Sequence, residues 1–298
     1  MKITAIILTS NEKIHLSRCV ENLNDLDLDI LIVDSFSTDN SLEIAQPGRV
    51  RVLKNKWINY STQFNWALKQ VDPNTDWVLR IDADEILTAA LKKEITEKLP
   101  LLKADINGIF VPRRMMFQGR PVQYGGLFPT KVLRIFRYGK GECENRWMDE
   151  HIKVTGHTVN FKGDLIDNNL KSLTWWINKH NQYSSREAVD LLNLKYRFMK
   201  IDTIAQLKFG SHAGLKRWIK ETVYFYLPTY YRSFIYFLCR YIFRLGFLDS
   251  HSGANFHFLQ GFWYRYLVDA KVKEVESYMK LNGKDIKTAI KNVLEINI

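Results

Sequence analysis

Short apolar runs alternate with amphipathic stretches in the N-terminal third of the sequence, and this alternation limits the fold more than any other feature. We predict β-strands at the apolar runs, which are residues 4–8, 30–33, 50–53 and 77–81. The stretch after the first run predicts a helix, because apolar side chains recur there at helical spacing, at Leu16, Cys19, Val20 and Leu23. Alternating β and α units of this length are typical of a doubly wound α/β sheet with mainly parallel strands.

The pattern changes after a helical stretch at residues 88–99. Strand-like sequence at residues 108–117 and 131–136 has no helix between its two parts, so we expect the sheet to finish with mixed or antiparallel strands. From Leu173 onward the sequence is typical of helices, and no internal repeat interrupts it. We therefore predict a sheet domain at residues 1–170 and a mostly helical region at residues 171–298.

The charge and the cysteines restrict the partners and the compartment. A net charge of +11 predicts attraction to an anionic partner, which nucleic acid, acidic lipid or a phosphorylated substrate would satisfy. Cys19, Cys143 and Cys239 lie far apart, so neither a disulfide framework nor a cysteine zinc site is indicated. A reducing cytosol fits best, and the N-terminal apolar run is too short for a signal peptide.

Polar residues follow three of the predicted strands, at the edge where open α/β sheets bind their ligands. These residues are Thr9, Asn11 and Glu12 after the first strand, Asp34 after the second, and Asp82 and Asp84 after the fourth. We expect the three loops to converge on one crevice.

Asp82 and Asp84 stand two residues apart, so in an extended backbone their side chains project to the same side. Carboxylate oxygens in that arrangement suit a divalent cation, Mg²⁺ or Mn²⁺, or the diphosphate that the cation carries. The alternative is that Asp82, Asp84 and Glu85 only cap and charge the helix that follows.

The other polar candidates have structural alternatives of similar weight. Asp34 is placed to accept hydrogen bonds from a base or ribose, or it is a turn former beside Ser35. Gln63 and Asn65 are either ligand contacts or solvated polar residues on a helix.

A third group of candidates lies at residues 147–151, where carboxylates adjoin Trp147. Partial burial against an aromatic ring raises the pKa of a carboxyl group and suits it to act as a general base, and Glu150 is our candidate. The alternative is an ion pair between Glu150 and Arg146.

Taken together, these segments resemble the family 2 inverting glycosyltransferases of the GT-A fold. The segments that carry the resemblance are residues 6–12, 32–39, 63–68 and 77–85. Four further segments also recur in the branch related to lipopolysaccharide-core β-1,4-glucosyltransferases, and these are residues 116–120, 128–129, 133–136 and 246–249. The resemblance spans roughly residues 3–273.

The resemblance implies a Rossmann-like doubly wound, mostly parallel mixed sheet, with residues 1–170 as the nucleotide-sugar-binding and catalytic domain. It implies that residues 171–298 contact the acceptor and the membrane surface. The implied nucleotide contacts, for which a UDP-sugar is the donor that the family favours, are Thr9, Asn11, Glu12, Asp34, Gln63, Asn65 and Asp82.

The implied chemistry rests on two acidic groups. Asp82 and Asp84 serve the ribose, the Mg²⁺ or Mn²⁺ ion and the diphosphate, while Glu150 deprotonates the acceptor hydroxyl. The branch commonly has a histidine before this glutamate, whereas the present chain has Asp149, which becomes a rival base.

A basic and aromatic segment at residues 216–244 carries the membrane prediction. Charges interrupt each apolar stretch before it reaches the ~18 residues of a membrane span. Mixed aromatic and cationic side chains are typical of a segment that lies among anionic headgroups, here on the inner face of a bacterial cell membrane. The alternative is a helical core whose cations reach out to solvent.

The function that we predict is transfer of a sugar to a lipid-linked, lipopolysaccharide or capsule glycan by metal-assisted direct displacement with inversion. One alternative is a phosphotransferase with D-x-D chemistry, although such enzymes of the haloacid dehalogenase type need the motif at their first strand and here it follows the fourth. A second alternative is a non-enzymatic protein that binds membranes or nucleic acid, which leaves the carboxylate loops unexplained. We predict no nucleic-acid partner.

Overall fold

The structure is a computed structural model, and it describes residues 1–43, 49–144, 151–199 and 228–298. The chain divides into two compact units, Met1–Lys171 and Ser172–Ile298. Each unit has its own helices and its own buried residues.

The first unit is built on a mixed β-sheet. Its strands are β1 (Ile3–Thr9), β2 (Asp29–Asp34), β3 (Val50–Lys54), β4 (Trp77–Asp82), β5 (Glu85–Leu87), β6 (Ile106–Phe117), β7 (Arg120–Val122), β8 (Thr130–Arg137), β11 (His157–Asn160) and β12 (Leu165–Asn168). In the described residues the strand order is β3-β2-β1-β4-β8-β6-β12-β5, with β7 and β11 paired to β6. A separate hairpin pairs β9 (Gly141–Cys143) with β10 (Ile152–Val154).

The strands from β3 to β4 run parallel, and the sheet reverses direction at β8, which is antiparallel to both β4 and β6. The predicted parallel first half and mixed second half are therefore confirmed. The apolar runs of the first half form the centre of the sheet because both of their faces are covered, and the residues of β1 from Ile3 to Leu8 are all buried.

Helices cover both faces of the sheet. They are α1 (Lys13–Leu23), α2 (Tyr60–Leu68) and α3 (Ala89–Glu97). Leu16 of α1 and Leu91 of α3 pack with Ile7 on one face, whereas Phe64 of α2 packs with Ile6 on the other. Successive residues of β1 thus point to opposite layers, which is the doubly wound arrangement that the sequence predicts.

The acidic cluster at the end of β4 is not a helix cap. Thr88 caps α3, and its side chain accepts a hydrogen bond from the Leu91 N–H. Glu85 instead begins β5, where its side chain is buried. The capping alternative for Asp82, Asp84 and Glu85 is therefore wrong.

The second unit is helical in its described residues. Its α-helices are α4 (Leu173–Tyr196), α5 (Tyr231–Leu238), α6 (His251–Phe256), α7 (Tyr264–Asn282) and α8 (Ile286–Leu294). Two π-helical segments extend α5 and α6, and they are Cys239–Phe243 and His257–Trp263. Among the described residues, no helix is both long and apolar enough to cross a membrane.

Candidate active site

A buried arginine organises the carboxyl end of β4. Arg134 of β8 is 4% exposed and forms ion pairs with both Asp82, at 3.0 Å, and Glu85. From the other side the Arg80 Nε donates to the Tyr60 hydroxyl at 2.8 Å, and that hydroxyl donates to Asp82 Oδ1 at 2.6 Å. Both carboxylate oxygens of Asp82 therefore accept hydrogen bonds from the protein.

Asp82 and Glu85 share Arg134, but their pKa values shift in opposite directions. Burial opposes ionisation of Asp82, yet Arg134 and Arg80 outweigh it and hold the pKa of Asp82 well below its usual range. Burial dominates at Glu85, and with the Asp82 charge it raises the pKa of Glu85 to about 8 against the opposing effect of Arg134. Asp82 is thus a permanent anion at neutral pH.

Asp84 lies in the turn between β4 and β5, where it is half-buried, and it has different partners. Its Oδ2 accepts a hydrogen bond from the Asn169 side chain at 2.8 Å, and its backbone carbonyl accepts one from Arg18 at 3.2 Å. Burial and the nearby charge of Asp84 raise the pKa of Asp167, on β12, to about 6. Negative charge therefore accumulates around Asp84, and hard carboxylate oxygens in such a place fit Mg²⁺ or Mn²⁺.

The loop after β1 is fixed by the end of the first unit. Glu12 accepts hydrogen bonds from His15 Nδ1 at 2.5 Å and from the Lys171 ammonium at 2.9 Å. The Leu170 N–H donates to His15 Nε2 at 2.8 Å, so the buried ring is the neutral tautomer with its proton on Nδ1. Burial alone would raise the pKa of Glu12, but the His15 and Lys171 contacts lower it overall.

The ends of β1 and β2 are joined by side-chain hydrogen bonds. Asp34 is fully buried and accepts from both the N–H and the hydroxyl of Ser37. Asn11, which has a positive φ of 55°, accepts from the Thr38 N–H at 2.8 Å. The Thr9 hydroxyl is buried and has no hydrogen-bond partner in the part of the chain that the structure describes. A buried hydroxyl without a partner at a strand end is a position that a ligand would satisfy.

Gln63 and Asn65 contact the protein itself. The Gln63 amide bonds to the Asn55 and Ser35 side chains and to the Asn55 carbonyl. Asn65 bonds to both the N–H and the carbonyl of Cys143, at 2.8 and 2.9 Å. Gln63 thus joins α2 to the ends of β2 and β3, while Asn65 fixes β9 against α2. Their role in nucleotide binding stays a prediction.

Comparison with known families agrees with this geometry. The sequence profile of glycosyl transferase family 2 matches residues 4–155, which is just over half of the chain and contains the Asp82–Arg134 network. The chain belongs to glycosyl transferase family 2. It is therefore a glycosyltransferase, and the phosphotransferase and non-enzymatic alternatives are excluded.

Relatives in the family extend the similarity beyond the matched residues. The chain is 27% identical over 266 residues to the lipopolysaccharide core biosynthesis glycosyltransferase LpsC of Rhizobium meliloti, which covers 87% of this chain and 90% of the relative. It is 26% identical over 203 residues to an uncharacterised glycosyltransferase of Rickettsia prowazekii, covering 64% and 68% of the two chains. Among solved structures, S. aureus TarS 1–349 in complex with UDP-GlcNAc aligns with a TM-score of 0.43 at 15% identity, covering 99% of this chain and 91% of that chain.

The two candidate bases of this family 2 enzyme, Asp149 and Glu150, lie outside the described residues. The structure does describe the residues that flank them. The Glu144 N–H donates to the His151 carbonyl at 3.0 Å, next to the pair of Cys143 with Ile152. Residues 145–150 therefore connect the two strands of the hairpin that Asn65 fixes against α2.

Several contributors to the family 2 site were missed by reasoning from the sequence. They are Tyr60, Arg80, Arg134, Asp167, Asn169 and Lys171. The role of Arg134 could have been predicted from the sequence, since it is a lone cation within the apolar run of residues 132–136. The roles of Asn169 and Lys171 could not have been predicted, because no local sequence pattern relates these residues to the loops after β1 and β4.

Proposed function

We propose that this enzyme transfers a sugar, with inversion, from a nucleotide-diphosphate donor to a lipid-linked, lipopolysaccharide or capsule glycan. The observation that carries the proposal is the permanently ionised Asp82 beside Asp84 at the end of β4. A UDP-sugar is the donor that the family favours. The similarity to a lipopolysaccharide core glycosyltransferase supports an acceptor of that class.

The residues that would bind the donor line the ends of three strands. Asp82 presents a fixed anion to the ribose, and the unpartnered Thr9 hydroxyl offers a hydrogen bond to the nucleotide. Asp84, with Asp82 near it, would hold a divalent metal ion, which members of this family generally use. When bound there, such an ion would supply positive charge that stabilises the departing diphosphate.

The reaction is a single displacement. Glu150 removes the proton of the acceptor hydroxyl, whose oxygen forms the new bond to the anomeric carbon. The bond from that carbon to the diphosphate oxygen breaks, and the nucleoside diphosphate leaves with the electron pair. Asn65 supports this step indirectly, because it fixes the strand that leads into residues 145–150.

Replacing Glu150 with glutamine is expected to lower the rate of transfer by about 10²–10⁴ because the acceptor proton loses its base. The affinity for the donor nucleotide stays unchanged, since Glu150 acts on the acceptor. Asp149→Asn is the matched control, and we expect a smaller loss from it. Transfer is measured with UDP-sugars and Mn²⁺, and the anomeric coupling of the product is read by NMR.

Two results would count against this mechanism. A product that retains the α configuration of the donor rules out a single displacement. If Asp149→Asn removes activity and Glu150→Gln does not, Asp149 is the base. Thermal shift with a panel of sugar nucleotides identifies the donor independently of turnover.

We also propose that the second unit binds the inner face of the cell membrane. Residues 216–227 of the basic and aromatic segment lie outside the described residues, and residues 228–248 carry the exposed side chains that support this proposal. Five apolar side chains are exposed there within seven residues of sequence, namely Ile242 46%, Phe243 78%, Leu245 46%, Phe247 47% and Leu248 51%. We call these five residues the apolar turn.

The apolar turn has the chemistry of an interfacial contact. Arg244 is exposed between its apolar members, and the chain as a whole carries +11. Aromatic and aliphatic side chains next to cations favour the boundary between anionic headgroups and acyl chains. Exposed apolar side chains this close together commonly mark a surface that binds a partner.

The variant Phe243→Glu/Leu248→Glu is expected to lose most binding to vesicles that contain phosphatidylglycerol, since it places two charges in the apolar turn. Flotation on a density gradient measures the bound fraction. Leu101→Glu/Leu281→Glu is the matched control, because both of these leucines are more than 80% exposed, at 82% and 83%. Equal flotation of the wild-type protein with neutral phosphatidylcholine vesicles would contradict the role of anionic lipid.

A further inference from the structure

The first unit contains a cavity that the donor site does not use. Its volume is about 520 Å³, which is within the range of small-molecule sites. The lining comes from β6, from β8 and the two residues before it, and from the end of β11 with the segment that follows. It comprises Pro112, Arg114, Phe128, Pro129, Lys131, Asn160, Phe161, Lys162 and Asp164. Apolar rings and charged groups thus share one cavity.

The charges of the lining do not balance. Asp164 is the only carboxylate in the lining, and it accepts hydrogen bonds from the Arg114 Nε, at 2.7 Å, and from Arg114 Nη2. Lys131 and Lys162 also line the cavity, and within the described ranges neither ammonium group lies within ion-pair distance of a carboxylate. Among the residues that the structure describes, these two cations therefore have no carboxylate partner, which favours an anionic ligand.

An aromatic ring lies beside these cations. The Arg114 guanidinium is 4.5 Å from the centroid of the Phe128 ring, and its pair with Asp164 fixes it there. Pro112 and Pro129 add flat apolar surface to the same lining. Apolar faces with a few placed polar groups are the composition of a small-ligand site, and the faces of sugar rings fit such surfaces.

The register of the strands indicates which face of the sheet the cavity occupies. Phe110 of β6 and Leu133 of β8 pack in the same apolar cluster as Cys143 of β9 and Ile152 of β10. Side chains alternate along a strand, so Arg114, four residues after Phe110, and Lys131, two residues before Leu133, project from that same face. The side of the cavity that Arg114 and Lys131 form therefore shares a face with the β9–β10 hairpin, whereas Phe161 of the same lining packs in the apolar cluster of the opposite face.

We infer that this cavity binds an anionic group of the acceptor, a sugar that carries a phosphate or a carboxylate. Lys131, Lys162 and Arg114 neutralise the anion, and Phe128 packs against the sugar ring. The inference rests on the proposed transfer reaction, because the predicted base at residues 145–150 connects the strands of the hairpin on this face. The cavity thereby selects charged over neutral saccharide acceptors.

Binding of simple saccharides tests this inference without turnover. Glucose 6-phosphate, glucuronate and glucose serve as phosphorylated, carboxylated and neutral probes, with affinities measured by saturation-transfer NMR at constant ionic strength. We expect an anionic probe to bind about tenfold more tightly than glucose, and Lys131→Gln/Lys162→Gln to remove that advantage. Phe128→Ala is expected to weaken the binding of all three probes, since it removes the aromatic surface against which the sugar ring packs.

The matched control is Lys93→Gln/Lys103→Gln, which removes the same charge from two exposed lysines outside the cavity. UDP affinity, measured in parallel, reports the donor site and is expected to stay unchanged in every variant. The inference is overturned if both anionic probes bind no better than glucose, if the two lysine pairs behave alike, or if UDP displaces the anionic probe. Absence of transfer with every sugar nucleotide would instead overturn the proposed function.

Discussion

The Asp84→Asn variant is expected to lose sugar transfer by about a thousandfold, because the divalent metal ion that we propose at this site would stabilise the leaving group by several kcal/mol. Asparagine keeps the shape of the side chain, and its carbonyl oxygen still accepts the hydrogen bond from Asn169. The variant should therefore unfold at the same urea concentration as the wild-type protein. Initial rates of transfer over a titration of Mn²⁺ measure the effect.

Two further variants test whether the loss is specific to Asp84. Asp25→Asn removes an exposed carboxylate that pairs with Lys92, and we expect wild-type rates from it. Asp82→Asn is expected to lower stability as well as activity, because Asp82 holds both Tyr60 and Arg134. Full activity of Asp84→Asn with an unchanged response to Mn²⁺ would remove Asp84 from the catalytic assignment.

The Arg134→Met variant is expected to lose about 3–5 kcal/mol of unfolding free energy, because the buried Glu85 and the half-buried Asp82 lose their shared cation. Arg134 is 4% exposed and Glu85 is 1% exposed, so water cannot replace the guanidinium. Arg134→Lys is expected to lose less, since a single ammonium keeps the charge but cannot match both partners. Urea unfolding of the full chain gives the free energies.

The loss in Arg134→Met should depend on pH. Burial already raises the pKa of Glu85 to about 8 from its usual 4.5, so the folded state binds more protons there than the unfolded chain. Without Arg134 the pKa of Glu85 rises further, and the pKa of Asp82 rises from its lowered value. The stability that comes from the raised pKa of Glu85 is fully present below pH 4.5, the pKa of a glutamate in the unfolded chain. It is lost as the pH rises through the pKa of Glu85 in the folded state. The deficit of the variant is therefore larger at pH 8 than at pH 5.

Arg49→Met is the exposed counterpart of this substitution. Arg49 is 59% exposed and pairs with Asp27, which is 93% exposed, so its loss should change stability by at most about 1 kcal/mol. A similar small loss for Arg134→Met at both pH values would contradict the organising role of Arg134.

The parallel half of the sheet was predictable because its strands are buried on both faces. Such strands appear in the sequence as continuous apolar runs, as in residues 4–8 and 30–33. The ends of these runs indicate the edge of the sheet at which open α/β folds bind ligands. The short β5 was not predictable. Glu85 looks like a residue at a helix start, but it lies in a strand because β5 pairs with the distant β12, where Asp167 is opposite Glu85.

The place of a candidate site residue was predictable where the residue follows a strand, and its partners were not. Asp82 and Asp84 were predicted to follow a strand, and β4 does end at Asp82, while their roles stay predictions. Asn65 was chosen as a nucleotide contact, yet its amide bonds to the backbone of Cys143, 78 residues away. Pairings over such distances depend on the packing of whole elements, which no local pattern encodes.

The contacts of Glu12 and His15 with residues 170 and 171 have a consequence for synthesis of the protein. They join parts of the chain that are 159 and 155 residues apart, and they are the last contacts that the first unit can form. Loops of this length close slowly relative to local structure. A nascent chain on the ribosome therefore lacks a finished β1–α1 loop until the end of the first unit has emerged, and premature termination before Leu170 leaves that loop without its partners.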